Sequence, residues 1–245
     1  MNERRLRWHS DPWRLLVGLG GGVILPIAVL LQVVYGYGLL AVIVTGFALV
    51  MLLIGSIGWF NSVVGEKRKG WTPSAMVAFI STEVVVVVGL LLIYWIIRLQ
   101  ADLWPPEGSP MISLPLLGIF LLILASATGG LAARSMFKGN RLQFANLVLT
   151  TVVVWMIFAT MSVFHWIELS GTGFTIYTNI FGAIYYSMTG IHFAHLLFGI
   201  LILLLALPPA FKGLLSESYT RSMVIYIHYV NVLGVVMLVH ITTWS

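Results

Sequence analysis

The sequence contains no cysteine and few charged residues. Only 9% of its 245 residues are Asp, Glu, Lys or Arg, while 60% are hydrophobic; a soluble domain carries roughly 25% charged residues. So few charged residues cannot cover the surface of a water-soluble protein of this size, which excludes a soluble enzyme. The high hydrophobicity also excludes disorder. The missing cysteines exclude disulfides, thiolate nucleophiles, zinc sites that need Cys, and iron–sulfur clusters. The composition therefore indicates a protein that crosses a membrane several times.

Seven stretches are apolar and long enough to cross a bilayer as helices, which takes about 20 residues each. The sequence predicts an all-α membrane protein with spans at Leu15–Val34, Leu39–Gly58, Ser74–Ile97, Ile112–Ala133, Ala145–Trp166, Phe181–Leu207 and Ser222–Trp244. The short gap Tyr35–Tyr37 makes the first two spans an antiparallel hairpin. In the first span, four glycines predict close helix contacts: Gly18, Gly20, Gly21 and Gly22, of which Gly18 and Gly22 form a pair four positions apart.

Basic residues are distributed unevenly between the two sides of this predicted topology. Of the 13 Lys and Arg residues, all but Arg98 fall on the side that holds the N-terminus. Lys and Arg concentrate in cytoplasmic loops, so we expect the N-terminus in the cytoplasm and the C-terminus outside. The basic residues are spread over several short segments and form no patch, so nucleic-acid binding is not expected.

One acidic residue, Glu83, falls within a predicted span, whereas the other seven lie in loops or near the N-terminus. It lies about ten residues into the third span and so about 15 Å deep. A lone carboxyl at that depth is costly when ionised, so we expect it to be neutral at pH 7. Two interpretations stay open: a proton-handling site, or a carboxyl that hydrogen-bonds a neighbouring helix and only fixes the packing.

Several histidines also fall in or beside the spans. His192 and His195 are three residues apart on the sixth span and so share a face; His228 lies on the seventh span and His165 at the end of the fifth. A metal site needs three or more converging ligands, and a haem needs histidines paired at matching depth. No such motif is present, so we expect these imidazoles to hydrogen-bond other helices or lipid head groups. Metal or haem ligation is the less favoured alternative.

Several motifs, in collinear order, resemble subunit III of the haem–copper cytochrome c oxidases. The stretch Thr189–His195 is similar to the T-G-F-H-G-x-H segment of that family, and Trp104–Gly108 to its W-P-P-x-G loop. The stretch Phe79–Val84 is similar to the signature F-I-x-S-E-V, whose Glu is the buried carboxylate of the family. Tyr226–Asn231 more weakly resembles W-H-F-V-D. The resemblance covers most of residues 40–245.

The chain also departs from the family pattern. Phe60–Ser62 stands where the family has Trp-Arg-Asp, His165–Trp166 where it has Glu-Tyr, and Asn231 where it has Asp; Ala194 replaces a Gly. Charged residues of the family are lost at these positions. This divergence favours a bacterial chain in the inner (plasma) membrane over a mitochondrial one.

The resemblance implies a fold and a role. Spans 1–2 and 3–7 would form two groups, residues 1–60 and 61–245, with a lipid-filled cleft between them. Such a subunit holds no haem, copper or catalytic residue; it binds phospholipid and packs against oxidase subunits I and II, which hold the haems and copper. It would stabilise the catalytic subunit and support proton uptake, with Glu83 as its key residue. His165, His192, His195, His228 and Asn231 would make polar contacts to lipid or between helices.

Three questions stay open at this point. The electron donor of the complex is either cytochrome c or quinol. The complex could instead be a quinol oxidase or be associated with nitric oxide reductase. A stand-alone proton-linked transporter is the alternative from a different class, because one buried acid would suit it too.

Overall fold

The computed structural model describes residues 12–64 and 73–243, and all regular structure within these ranges is helical. The helices are α1 (Pro12–Leu19), a π-helical segment (Gly20–Ile24), α2 (Leu25–Val33), α3 (Gly38–Val64), α4 (Pro73–Gln100), α5 (Leu116–Phe137), α6 (Arg141–Gly171), α7 (Ile180–Phe211) and α8 (Glu217–Thr243). The first three elements are continuous and make up one span. Within the described ranges, seven helical segments are long and apolar enough to cross a membrane, which confirms the predicted all-α, multi-pass architecture.

The helix ends differ from the hydropathy prediction for identifiable reasons. α5 begins at Leu116 rather than at Ile112, because Pro115 precedes it and proline disfavours helical backbone at the residue before it. α6 begins at Arg141 rather than Ala145, because the Asn140 side chain accepts a hydrogen bond from the Gln143 N–H at 3.1 Å and caps the helix. Hydropathy marks only the apolar part of a helix, whereas α6 continues into polar residues at both ends.

The basic residues that predict the orientation are only partly described. Those at positions Arg4, Arg5, Arg7, Lys67, Arg68 and Lys69 lie outside the described residues. Of the others, Arg134, Lys138 and Arg141 lie at the α5–α6 connection, and Lys212 and Arg221 flank the α7–α8 connection. These two connections lie at the same end of antiparallel helices, so the described part of the pattern keeps the predicted one-sided distribution.

The chain divides into two compact units, residues 1–70 and 71–245. In the first unit, α1 and the π-helical segment pack on α3. A Cβ atom at Gly20 would lie only 3.1 Å from the carbonyl oxygen of Ala48, so Gly20 allows this approach. Gly18 and Gly22 would meet nothing within 4 Å. Of the glycines predicted to make close contacts, Gly20 and Gly21 therefore face α3, whereas Gly18 and Gly22 do not.

In the second unit, helices α5 to α8 form a bundle of four. α5 and α7 each contact both α6 and α8, and α4 packs against α8. α5 packs closely on α8: a Cβ atom at Gly129 would lie 3.0 Å from the side chain of Ile227. There the Oγ1 atoms of Thr128 and Thr151 are hydrogen-bonded at 2.8 Å, which ties α5 to α6.

The loop that carries the Trp-Pro-Pro motif connects α4 to α5 and contacts both α4 and the start of α7. The Trp104 ring packs edge-on against Tyr94 and Phe181, with ring centroids 5.6 Å apart in both pairs. Asn179, which caps α7, also donates a side-chain hydrogen bond to Ser109 Oγ at 2.9 Å. The loop therefore contacts both α4 and α7 at this end of the unit.

Gly199 provides a test of this packing. A Cβ atom there would lie 2.9 Å from the Cη2 atom of the Trp155 ring and 3.1 Å from Tyr226, and Trp155 is fully buried. We expect Gly199→Ala to destabilise the chain by about 1–3 kcal/mol, the usual range for overpacking. The control, Gly190→Ala on the same helix, meets nothing within 4 Å and is expected to be neutral or slightly stabilising. Unfolding in detergent would measure both variants; equal stabilities would contradict the packing described.

Candidate functional site

Glu83 lies on α4, about 15 Å along the helix axis from its first residue. Its side chain is 28% exposed in the isolated chain, and a run of valines follows it. The hydroxyls nearest to Glu83 in sequence bond to backbone carbonyls of their own helix. Ser81 donates to Val77 O at 2.8 Å, and Thr82 donates to Phe79 O at 2.6 Å. Local sequence therefore offers this carboxyl no partner, and the partner comes from another helix.

That partner is His195 on α7, whose Nε2 lies 3.2 Å from Glu83 Oε2. The other ring nitrogen, Nδ1, lies 2.8 Å from the carbonyl oxygen of Ile191, one turn earlier on the same helix. A carbonyl oxygen can only accept, so Nδ1 carries a hydrogen and donates it. One further proton then lies between Nε2 of His195 and Oε2 of Glu83. Either a protonated Glu83 donates to neutral His195, or an imidazolium donates to the Glu83 carboxylate.

Both forms of the Glu83–His195 pair have a net charge of zero, so they differ only in the position of one proton. Adding or removing a proton would leave a net charge in an apolar segment, which is costly. The pair can therefore hold one shared proton, which can move between the two groups without creating a net charge. Because both ring nitrogens of His195 are engaged, this geometry leaves no lone pair with which His195 could bind haem iron.

Two tyrosines of α8 flank the imidazole of His195. Tyr226 donates its hydroxyl to the carbonyl oxygen of His195 at 3.0 Å. The Tyr229 ring meets the imidazole edge-on, with centroids 5.9 Å apart. The Tyr229 hydroxyl is buried and has no hydrogen-bond partner among the residues described. α8 therefore fixes the backbone and the ring of His195, and it places an uncommitted hydroxyl in the same part of the unit.

His192 and His165 do not join the Glu83–His195 pair. His192 is buried, and its Nε2 lies 3.2 Å from the carbonyl oxygen of Val230 on α8. Gly234 allows this contact, because a Cβ atom there would overlap the His192 ring. His165 lies at the more exposed end of α6, with Nδ1 3.9 Å from Glu168 Oε2. His192 thus links α7 to α8, while the one ionic contact of His165 is within its own helix.

Asn231 and His228 belong to a second polar cluster, which joins α5, α6 and α8. The Trp155 indole N–H donates to Asn231 Oδ1 at 2.8 Å, and both residues are buried. The Asn231 amide donates to Ser126 Oγ at 3.1 Å, and His228 Nδ1 lies 3.2 Å from the same oxygen. Asn231 is the centre of this cluster, because it accepts from one helix and donates to another.

Asn231→Leu is expected to destabilise the chain by about 1–3 kcal/mol, because it leaves the buried indole N–H of Trp155 without an acceptor. Asn231→Leu should cost less in a Trp155→Phe background than in the wild type, because the indole N–H that needs the acceptor is then absent. Asn146→Leu, at an exposed position of α6, is the matched control and should have a small effect. Denaturation of the purified chain by increasing detergent strength would measure all three; equal losses for Asn231→Leu and Asn146→Leu would contradict the prediction.

Within residues 12–64 and 73–243, no group of three or more His, Asp or Glu side chains could hold a metal ion. The site consists instead of one carboxyl and one imidazole that share a proton, on helices built to lie in a membrane. This combination defines an integral membrane protein with a carboxyl–imidazole pair inside a membrane-spanning helix bundle.

Comparison with known proteins identifies the family. The family model for cytochrome c oxidase subunit III matches residues 9–245, so the chain belongs to the cytochrome c oxidase subunit III family. The resemblance inferred from the sequence motifs is thereby confirmed, and the chain is a multi-pass membrane protein of this family.

Individual relatives agree with that match. The chain is 30% identical to cytochrome c oxidase subunit 3 of Saccharomyces cerevisiae over 61% of this chain and 61% of that protein. It is 24% identical to the same subunit of Vanderwaltozyma polyspora over 97% of this chain and 93% of that protein. The subunit of Pelomedusa subrufa is 24% identical over 80% and 82%. The match to the Saccharomyces protein thus spans about three fifths of its length.

Proposed function

We propose that this chain is a non-redox membrane subunit of a respiratory haem–copper terminal oxidase, which stabilises the catalytic subunit and supports proton uptake during oxygen reduction. The family match over residues 9–245 supports the type of complex. The observation that carries the proton role is the 3.2 Å contact between Glu83 and His195. That pair holds one proton in an apolar segment, as a group that assists proton delivery must.

The proposal assigns the redox chemistry to other subunits. Haem and copper belong to the catalytic partners, subunits I and II, and oxidation of cytochrome c or of quinol supplies the electrons. Phospholipid is the non-protein ligand expected for this chain. Besides Glu83, five side chains are proposed to make polar contacts between helices or to lipid: His165, His192, His195, His228 and Asn231.

The membrane and the orientation are also part of the proposal. The loss of charged residues of the family, among them the Asp replaced by Asn231, supports a bacterial inner membrane. The placement of all basic residues except Arg98 on one side supports a cytoplasmic N-terminus. Cleavage of an N-terminal tag by a protease added to right-side-out vesicles would contradict this orientation.

Purification of the tagged chain in mild detergent tests the assignment. The proposal predicts a co-purifying assembly with the absorption spectrum of haem and oxygen consumption on addition of reduced cytochrome c or quinol. Absence of a haem-bearing partner, together with proton-coupled flux by the purified chain in liposomes, would contradict it and favour the transporter. A haem absorption band in the chain after its partners are removed would contradict it and favour a b-type cytochrome.

A further inference from the structure

A cavity of about 270 Å³ lies inside the bundle formed by α5 to α8. All four helices contribute to its wall, including Gly118 of α5 and Thr189 of α7. It lies towards the end of the bundle where α5 and α7 begin. His165 and Thr242 lie near the ends of α6 and α8, whereas His192 lies about 18 Å along α7 from its first residue. The cavity therefore extends from one end of the bundle towards its middle.

Several polar groups of this cavity can accept hydrogen bonds. Ser162, Thr189 and Thr242 line it, and each donates its hydroxyl to the carbonyl oxygen four residues earlier on its own helix, at 2.8 to 2.9 Å. A hydroxyl that has donated its hydrogen keeps two lone pairs. The oxygens of Ser162 and Thr189, on α6 and α7, therefore offer the cavity acceptors for donors within it.

His192 adds a deeper acceptor to the same wall. Its Nε2 contacts the carbonyl oxygen of Val230 at 3.2 Å, which requires a hydrogen on Nε2, so in the neutral ring Nδ1 carries none. No described residue donates to Nδ1. The residue is only 4% exposed, and buried polar atoms are nearly always paired, with ordered water where protein offers no partner. The ring lines the cavity, so the donor that Nδ1 needs comes from the cavity contents.

We propose that this cavity is a hydrated access site, filled by a cluster of water molecules that enters at the end of the bundle and reaches His192. The volume admits several waters, since water occupies roughly 30 Å³ per molecule in the liquid, and each water can donate to two of the acceptors on the wall. A lipid acyl chain would fill the cavity without donating a hydrogen bond to any of these acceptors. The site is separate from the Glu83–His195 pair and gives a second buried imidazole contact with the aqueous phase.

The absence of cysteine from the chain allows a direct test. Ser162→Cys and Thr189→Cys each place one thiol in the cavity wall with little change of volume. Only the thiolate reacts with a methanethiosulfonate reagent, and a thiol ionises only where water reaches it. The probe is a charged, membrane-impermeant methanethiosulfonate added to native membranes from each side in turn. The mass of the isolated chain then reports labelling.

Controls come from the outer surface of α6. Val163→Cys and Ile157→Cys place thiols at exposed apolar positions, where lipid or protein rather than water covers them. We expect the two cavity thiols to react at least about tenfold faster than these controls, as an ionised thiol in water does relative to a dry one. This result should hold from one side of the membrane only.

Equal, slow labelling of cavity and control thiols would overturn the proposal. Amounts of each variant in the membrane fraction report folding, and the two cavity positions lie on different helices. If one variant fails to accumulate, the other therefore decides the result.

Discussion

Replacing Glu83 by Gln is expected to slow the oxidase by roughly three- to tenfold when proton delivery limits the rate, which corresponds to up to about 1.4 kcal/mol on the barrier. The Gln amide can still donate to His195 Nε2 and has nearly the same shape, so the chain should stay in its complex. What is lost is the proton that moves between carboxyl and imidazole. Steady-state oxygen consumption and proton uptake per electron, normalised to haem, would measure the effect.

Glu107→Gln is the matched control for this experiment. It makes the same chemical change in the loop after α4, where the structure uses only the backbone carbonyl of Glu107, as an acceptor for Asn179. It should leave turnover unchanged. If Glu83→Gln also leaves turnover, proton uptake and subunit retention at wild-type values, the Glu83–His195 pair is a packing contact and the proton role is wrong.

The second large effect is a loss of stability when either Glu83 or His195 is replaced. His195→Leu leaves the Glu83 carboxyl without a partner in an apolar environment, which should destabilise the chain by about 1–3 kcal/mol. Glu83→Leu should likewise leave His195 without this partner and destabilise the chain by a similar amount. Replacing both by leucine should recover most of the loss, because a polar pair exchanged for apolar side chains leaves nothing unsatisfied.

The four proteins of this cycle yield a coupling energy between the two side chains. Its control is a second cycle in which Thr82→Val takes the place of Glu83→Leu. Thr82 bonds only within α4, so that coupling should be close to zero. Free energies of unfolding in detergent would provide both values; additive losses for Glu83 and His195 would show that the two side chains do not interact.

The depth of Glu83 could be predicted from the sequence, but its partner could not. Hydropathy shows where the span begins, and the rise per residue of a helix then places the carboxyl. His195 is 112 residues away, and His192 lies one turn earlier on nearly the same face. Sequence spacing cannot choose between the two imidazoles. The choice depends on the rotation of α7 against its neighbours. That rotation places the His192 ring in the space beside α8 that Gly234 leaves open.

The contact between Trp155 and Asn231 was likewise beyond prediction from sequence. The resemblance drew attention to Asn231 as the replacement of an Asp in the family, but nothing pointed to Trp155, which lies 76 residues away on another helix. The amide can do what a carboxylate cannot, because it accepts from Trp155 and donates to Ser126 at the same time. By contrast, the capping pair Asn140 and Gln143 is a local signal from which the start of α6 could have been predicted.

The most direct test of the proposed role is oxygen consumption per haem in membranes that lack this chain. The account predicts that the catalytic subunits keep their haem spectrum there but turn over more slowly and lose activity sooner. The wild-type chain supplied in trans should restore rate and lifetime, whereas the Glu83→Gln variant should restore lifetime more fully than rate. An unchanged rate and an unchanged lifetime in the absence of the chain would contradict the account.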